Sequence, residues 1–255
     1  MGNAFNQGLD SEGNPEGVAI RSSGEAHGVY VLYSVEENGK INNNSFAGIK
    51  VDADEGYAYG IYLDEDFGGE ILNNNFNQAL NANGAVISAA IQAYNAYGIY
   101  VRGGLASFGM GQVNGIATPN AKILSNSFAG IKASYLDSDD VKKTGQDAIG
   151  IYLRALKGSI NPRAITANTF DGITGRTAYG LQIKNSTIGG VNNPAANAIT
   201  NNHFNVTGTA VIAGIKAIDY DAGAKTALES SNTFAGNITD PNEDGDLTDN
   251  KNVTT

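Results

Sequence analysis

The chain has 255 residues, a formal net charge of −10 and no cysteine. This length suits one large domain, the lack of cysteine excludes a disulfide scaffold, and the acidic balance argues against binding nucleic acid through its phosphates. No apolar run approaches the length of a membrane-spanning helix, so no membrane span is expected.

A short motif, I-x-x-N-x-F, recurs along most of the chain, and we call it the first half-motif. Its five full copies contain the pairs Asn44/Phe46, Asn74/Phe76, Asn126/Phe128, Asn168/Phe170 and Asn202/Phe204. Partial copies occur at Asn3/Phe5 and Asn232/Phe234. Successive phenylalanines lie between 30 and 52 residues apart.

A second half-motif alternates strictly with the first. It reads A-x-G followed by apolar, any residue, apolar, and its copies lie around Gly28, Gly60, Gly98, Gly150, Gly180 and, in weaker form, Gly214. Both half-motifs are short, rich in Ile, Val, Tyr and Thr, and bounded by Gly, Asn and Asp, which predicts strands. The variable spacing favours a β-solenoid, in which insertions such as 79–95 and 103–121 leave through the turns.

The physical role of each repeated position follows from stacking. Aliphatic residues after the glycine, such as Ile61, Ile99 and Ile151, should point inward as columns, because side chains alternate faces along a strand. The asparagine of the first half-motif suits a corner, since asparagine tolerates the left-handed conformation. We expect these asparagines to hydrogen-bond from coil to coil as a ladder, in preference to a role as ligands.

The repeated pattern resembles the right-handed parallel β-helix proteins, which include pectate-lyase-like polysaccharide enzymes, bacterial surface and autotransporter passenger domains, and phage tailspikes. The resemblance implies an all-β fold, a single-stranded right-handed parallel β-helix (β-solenoid) of about six to seven coils with loop insertions, over residues 1–238. Residues 239–255 are predicted to be an acidic tail or linker. No amphipathic helix that would cap an end is evident in the sequence.

The resemblance leaves function open, because one fold hosts many activities. The first hypothesis is a non-enzymatic β-helix of the passenger, adhesin or stalk type, extracellular or on the cell surface and of bacterial type. The second is a polysaccharide lyase or hydrolase; its catalytic carboxylates would need to be paired, but the acidic groups here lie in loops and do not recur in register. The third is a fibre subunit that associates end to end, since open strand edges pair with other copies.

A column of tyrosines is the sharpest candidate binding feature. Tyr62, Tyr100 and Tyr152 lie two residues after the strand glycine in successive copies, and Arg102 and Arg154 lie two residues further on. By alternation these tyrosines face away from the core, and an exposed aromatic stripe beside cations suits a glycan or another surface polymer. The alternative is a purely structural ladder of cross-strand pairs.

The acidic tail contains the start of a calcium loop. Asp240, Asn242, Asp244 and Asp246 match the opening of the D-x-N-x-D-G pattern, so calcium is the one cofactor that the sequence suggests. Lys251 occupies the place of the final acidic ligand, however, and the alternative is an acidic linker without a metal.

Overall fold

The structure is a computed structural model that describes residues 4–5, 8–9, 15–16, 19–35, 39–77, 79–80, 86–106, 121–136, 142–157, 164–188, 198–220, 222–235 and 253–254. These residues are nearly all in β-strands, and the strands pair mostly in parallel. The all-β, parallel part of the predicted fold is therefore confirmed.

The described strands of successive repeats occupy up to five positions, which follow one another in a constant order. In the repeat that contains Phe46 they are Lys40–Asn42, Ser45–Phe46, Ile49–Val51, Tyr57–Leu63 and Asp66–Phe67. The two half-motifs account for positions one, two and four. Positions three and five are short strands that neither half-motif predicts.

Strands at the same position in successive repeats are hydrogen-bonded neighbours. Position one holds Lys40–Asn42, Glu70–Leu72, Lys122–Leu124, Ile165–Thr166 and Ile199–Thr200. Position two holds Ala4–Phe5, Ser45–Phe46, Asn75–Asn77, Ser127–Ala129 and Thr233–Phe234. Position three holds Ile20–Ser22, Ile49–Val51, Ile91–Ala93 and Ile131–Leu136. Position four holds Glu25–Val31, Tyr57–Leu63, Asn95–Val101, Asp147–Leu153 and Val253–Thr254.

Two long strands, Thr169–Ile188 and His203–Tyr220, run through positions two to four without a break. Position five holds Asp66–Phe67, Gly104–Ala106 and Leu156–Lys157. Antiparallel pairs join Gly8–Leu9 to Pro15–Glu16, Ala79–Leu80 to Val86–Ser88, and Ile131–Leu136 to Lys142–Thr144. These three hairpins extend from the repeats and do not interrupt the parallel register.

The core consists of like residues stacked on like residues. The register pairs Ile61 with Ile99, Ile99 with Ile151, and Ile151 with Leu181, and all four side chains are fully buried. The inward aliphatic columns predicted from the sequence are confirmed. Burying each such side chain contributes about 1.5–3 kcal/mol to the free energy of folding.

A buried column of asparagines runs through the corner between positions one and two. We call it the asparagine ladder, and its members are Asn44, Asn74, Asn126, Asn168, Asn202 and Asn232. At Asn126, Oδ1 accepts hydrogen bonds from the backbone N–H and Nδ2 of Asn74, at 2.9 and 3.0 Å. Its own Nδ2 donates to Ile71 O and to Asn168 Oδ1, both at 3.0 Å. The predicted ladder is therefore confirmed, and every polar atom of this buried amide is paired.

The left-handed residue at this corner is not the ladder asparagine, as the sequence suggested, but the residue before it. Asn73, Ser125 and Ala167 have φ angles of 55°, 53° and 57°. This conformation costs roughly 1–2 kcal/mol for a residue with a Cβ, and the ladder hydrogen bonds offset that cost. The bend turns the next residue inward, which places its amide in the stack.

The two half-motifs interlock through phenylalanine and glycine. The rings of Phe76, Phe128 and Phe170 are stacked nearly parallel, with centroids 4.8 Å apart. A Cβ on Gly98 would lie 2.6 Å from a ring carbon of Phe128 and 2.6 Å from Gly150 O. Gly60 has the same relation to Phe76, and Gly150 to Phe170. The alternation of the half-motifs therefore reflects a packing requirement between each strand glycine and the phenylalanine of the next repeat.

A helix, Ala222–Ser231, takes the place of the position-one strand in the last repeat. Its final carbonyl, Ser231 O, accepts a hydrogen bond from Asn201 N. One repeat earlier, a strand carbonyl, Thr200 O, accepts the equivalent bond from Ala167 N. Leu228 anchors the helix in the core with no exposed surface. The helix thus covers strand Ile199–Thr200. The sequence pattern did not predict this helix.

The first prediction concerns the ladder. Replacing Asn126 by Ala removes the buried acceptor of the Asn74 N–H and takes one hydrogen-bond partner from each of Asn74 Nδ2, Ile71 O and Asn168 Oδ1. A buried polar group left unsatisfied costs about 1–3 kcal/mol. We expect a loss of more than about 3 kcal/mol in the free energy of unfolding by urea titration. The control is Asn75→Ala at an exposed position, which should change it by less than about 0.5 kcal/mol. Equal losses would contradict a stabilising ladder.

The second prediction concerns the glycine contact. Gly98→Ala should lower the free energy of unfolding by about 1–3 kcal/mol, because the new methyl group overlaps Phe128. Adding Phe128→Leu should recover part of the Gly98→Ala cost in a double-mutant cycle. The matched control is Gly24→Ala, where nothing lies within 4 Å of the new Cβ. A strictly additive cycle would show that ring and glycine are energetically independent.

Candidate functional site

The predicted tyrosine column forms on the outer face of the position-four strands. The register pairs Tyr30 with Tyr62, Tyr62 with Tyr100, and Tyr100 with Tyr152. Ring centroids are 5.2 Å apart between Tyr62 and Tyr100 and 4.4 Å apart between Tyr100 and Tyr152, with the planes within 6° of parallel. The structure therefore brings together the three tyrosines singled out from the sequence.

The column is less exposed than alternation alone suggested. Tyr30, at the first repeat, is 50% exposed, whereas Tyr62 and Tyr100 are half-buried and Tyr152 is only 9% exposed. Each ring covers a face of the next one, so the faces that would stack on a sugar are occupied within the protein. The expectation that these rings are exposed is wrong at Tyr152, and the outer surface of the column consists mainly of ring edges.

A second aromatic column lies beside the first, and the sequence pattern did not reveal it. Its members occupy the position just before the strand glycine and are His27, Tyr59, Tyr97, Ile149, Tyr179 and Ala213. Tyr59 meets Tyr62 edge to face at 4.9 Å, and Tyr97 meets Tyr100 in the same way at 5.2 Å. Simple alternation would place Tyr59 and Tyr62 on opposite faces of the strand.

The reason is the strand glycine. The ladder of paired residues skips Gly60 and Gly98, so the alternation of faces shifts by one at that point. Residues three apart then share the outer face. The sequence does show a tyrosine before several of these glycines, as at Tyr59 and Tyr97. The half-motif by itself does not show that the alternation of faces shifts at the glycine.

Burial sets the protonation of these tyrosines. It raises the pKa of Tyr100 to about 12, and together with the hydrogen bond to Asp64 it raises the pKa of Tyr62 to about 12. The pKa values of Tyr59, Tyr97 and Tyr152 are also raised, mainly by burial. All five phenols are therefore neutral at ordinary pH and act as hydrogen-bonding groups.

Charged residues gather where the position-four strands end. Asp64, Arg102 and Arg154 occupy equivalent sites in successive repeats, directly after Leu63, Val101 and Leu153. Arg102 donates to Asp64 Oδ1 at 2.5 Å, and Tyr62 OH donates to the same oxygen at 3.1 Å. The predicted cationic edge is thus partly neutralised at Arg102.

These residues line an open depression of about 340 Å³. We call it the charged depression, and it is lined by Ser34, Asp64, Glu65, Asp66, Arg102, Gly103 and Arg154. Glu65 accepts hydrogen bonds from the N–H and Oγ of Ser34, which holds its carboxylate in place. The depression spans four repeats, and its functional groups stand at the ends of the position-four strands or just after them.

The predicted calcium ligands Asp240, Asn242, Asp244 and Asp246 lie outside the described residues. Within the described part of the chain, no group of three or more His, Asp or Glu side chains could hold a metal ion. None of the helical segments described there has the length and hydrophobicity that crossing a bilayer requires.

Compared with protein-family models, curated proteins and solved structures, the sequence gives no match. The candidate site is therefore assessed from its own geometry.

The third prediction concerns pH. Unfolded tyrosine ionises near pH 10, whereas burial raises the pKa of Tyr97 in the folded protein. The stabilisation by neutral Tyr97 is complete below about pH 10 and is lost as the pH rises above that value, because the unfolded state then releases its proton first. Tyr97→Phe removes this group, so its free energy of unfolding should fall less steeply between about pH 10 and 12 than that of the wild type. Equal slopes in urea titrations would mean that the Tyr97 hydroxyl is solvated in the folded state.

Proposed function

We propose that the chain is a single-stranded right-handed parallel β-helix, a β-solenoid of about six to seven coils. The support is that the described strands keep the same order from repeat to repeat, apart from the helix at position one of the last repeat, and that equivalent residues stack in register. The asparagine ladder and the phenylalanine stack each continue through successive repeats. A solenoid accounts for both, and for hairpins that project without disturbing the register.

On this scaffold we propose a non-enzymatic function, of the passenger, adhesin or stalk type, outside the cell or on its surface. The observation that carries it is the charged depression at the end of the tyrosine column. Arg102 and Arg154 stand in neighbouring repeats, so their spacing follows the strand spacing of about 4.8 Å. A ligand with regularly placed acidic groups, such as an extended acidic glycan, matches that arrangement.

The mode of contact differs from ring stacking on sugars. Because the ring faces of Tyr62, Tyr100 and Tyr152 lie against one another, a ligand would meet ring edges and hydroxyl groups and then the two guanidinium groups. Binding would depend on hydrogen bonds and charge, and it would weaken with added salt. The net charge of −10 works against approach of a polyanion, so specificity would have to come from this local arrangement.

The fourth prediction tests this surface. On a glycan array, the wild type should retain acidic glycans in preference to neutral ones. The double variant Arg102→Ala/Arg154→Ala should weaken binding of the best ligand at least about tenfold, as expected when charged hydrogen-bond partners are lost. The matched control is Arg176→Ala, an exposed arginine elsewhere, which should bind as the wild type does. Equal affinity in the double variant, with an unchanged circular dichroism spectrum, would exclude the depression.

A second function, a polysaccharide lyase or hydrolase, is favoured by the three adjacent carboxylates of the depression. Glycosidases place two carboxyl groups on either side of the scissile bond. Here Asp64 is held by Arg102 and Tyr62, and Glu65 is held by Ser34, which fits structural roles better. The test is product formation from acidic and neutral polysaccharides, with and without calcium. Turnover that is abolished by Glu65→Gln or Asp66→Asn would overturn the non-enzymatic proposal.

A further inference from the structure

The exposed large apolar side chains in the described part of the chain lie together at one end. They are Tyr30, Leu32, Tyr33 and Tyr57, and Tyr33 is 73% exposed. All four belong to the first two position-four strands or to the turn after the first of them. In the position-four strands Asn95–Val101 and Asp147–Leu153, large apolar side chains are buried or half-buried. A clustered patch of this kind is typical of an interaction surface.

The same end presents a strand edge. Strand Glu25–Val31 pairs with Tyr57–Leu63, and no described strand pairs with its other edge. Gly24 O accepts from Tyr57 N, and Val31 O accepts from Asp64 N. In a parallel ladder, alternate residues serve opposite edges, so the backbone groups of Glu25 and Tyr30 point toward the unpaired side. An unpaired edge beside exposed apolar residues is a template for another strand.

The opposite end of the stack presents the matching register. Val253–Thr254 pairs in parallel with Ile215 and Lys216, and it is the last described strand at position four. Following the register through all repeats aligns Val253 with Val29 and Thr254 with Tyr30. If one copy followed another, strand Val253–Thr254 of the first would pair with strand Glu25–Val31 of the second, and the parallel pairing at position four would continue across the junction.

The two ends also complement each other at position one. In the last repeat the helix Ala222–Ser231 stands where a strand would be, and no described strand pairs with the outer edge of Lys40–Asn42. In a head-to-tail stack, Ile199–Thr200 of one copy and Lys40–Asn42 of the next would be three strand spacings apart, about 14 Å. A helix with its side chains is about 10–12 Å wide, so it would fill this gap.

We propose that strand Glu25–Val31 and the patch around it dock the Val253–Thr254 end of a second copy of this chain, in parallel register, so that the protein associates head to tail. The occupant is a second copy because its other end supplies the register, the strand direction and a helix that fits the position-one gap. This interface does not use Arg102 or Arg154, on which glycan binding would depend, so either proposal can fail without the other.

The association is tested first by mass. Sedimentation velocity of the full chain should show a weight-average mass that rises with concentration. Tyr30→Lys/Leu32→Lys should require at least about tenfold higher concentration for the same mass, because lysine on an edge strand blocks pairing. The control is Thr169→Lys, an exposed residue in the middle of the stack, which should associate as the wild type does. A wild type that remains a monomer at every concentration overturns the proposal.

The register is tested by disulfide trapping, which is unambiguous because the chain has no cysteine of its own. Tyr30→Cys and Thr254→Cys, prepared separately and mixed under oxidising conditions, should give a mixed dimer in high yield. Residues aligned on neighbouring strands have Cα atoms about 4.8 Å apart, within the range that a disulfide spans. The control mixture is Tyr30→Cys with Thr169→Cys. A mixed dimer no more abundant than in the control, or a dominant Tyr30→Cys homodimer, overturns head-to-tail docking.

Discussion

The structure depends on a side chain that both donates and accepts at the same corner of every repeat. An asparagine amide carries a carbonyl that accepts two hydrogen bonds and an NH₂ group that donates two, so identical amides can form an endless chain when stacked in parallel. At Asn168 this capacity is fully used: Oδ1 accepts from the N–H and Nδ2 of Asn126, and Nδ2 donates to Asn202 Oδ1 and Ile123 O. A buried corner would otherwise leave backbone groups unpaired, which is costly.

Fixing the corner also fixes the register, and the register places everything else. Once Asn126 lies over Asn74, Phe128 lies over Phe76 and Ile123 lies over Ile71. A slip by one residue would turn each buried column outward. The insertions between repeats vary in length without changing the register. Each repeat is positioned by the neighbouring repeats in space, and not by the number of residues that connect it to them.

Much of this arrangement was predictable because it depends on residue identity at fixed spacing. Identical residues at equivalent positions, such as Ile99 and Ile151, are enough by themselves to indicate a stack. Positions three and five were missed because most of their separate strands are two or three residues long, within stretches that read as loops. The left-handed residue was misplaced because its identity varies between repeats. Asn43, Asn73 and Asn201 tolerate that conformation, whereas Ser125 and Ala167 do not favour it, and there the ladder imposes it.

The candidate site was predictable in its residues but not in its exposure. The spacing from the strand glycine identified Tyr62, Tyr100, Tyr152, Arg102 and Arg154, and the structure places the tyrosines in the position-four strands and the arginines directly after them. What the pattern could not show was that the rings cover one another, or that Asp64 takes the first place in the column of charged residues and pairs with Arg102. Both depend on contacts between repeats that are 38 or more residues apart.

The asparagine ladder also has a direction. From Asn44 to Asn202, each side-chain amide donates to the asparagine of the next repeat, so the bonds between these described amides all run the same way. The side-chain dipoles therefore add along the stack, as peptide dipoles add along a helix, and each bond polarises its neighbours. At Asn232 the sequence of donors ends on a main-chain oxygen, Leu228 O, supplied by the helix. The ladder is consequently electrically polar, its two ends are chemically different, and the helix terminates the end that carries the last donor.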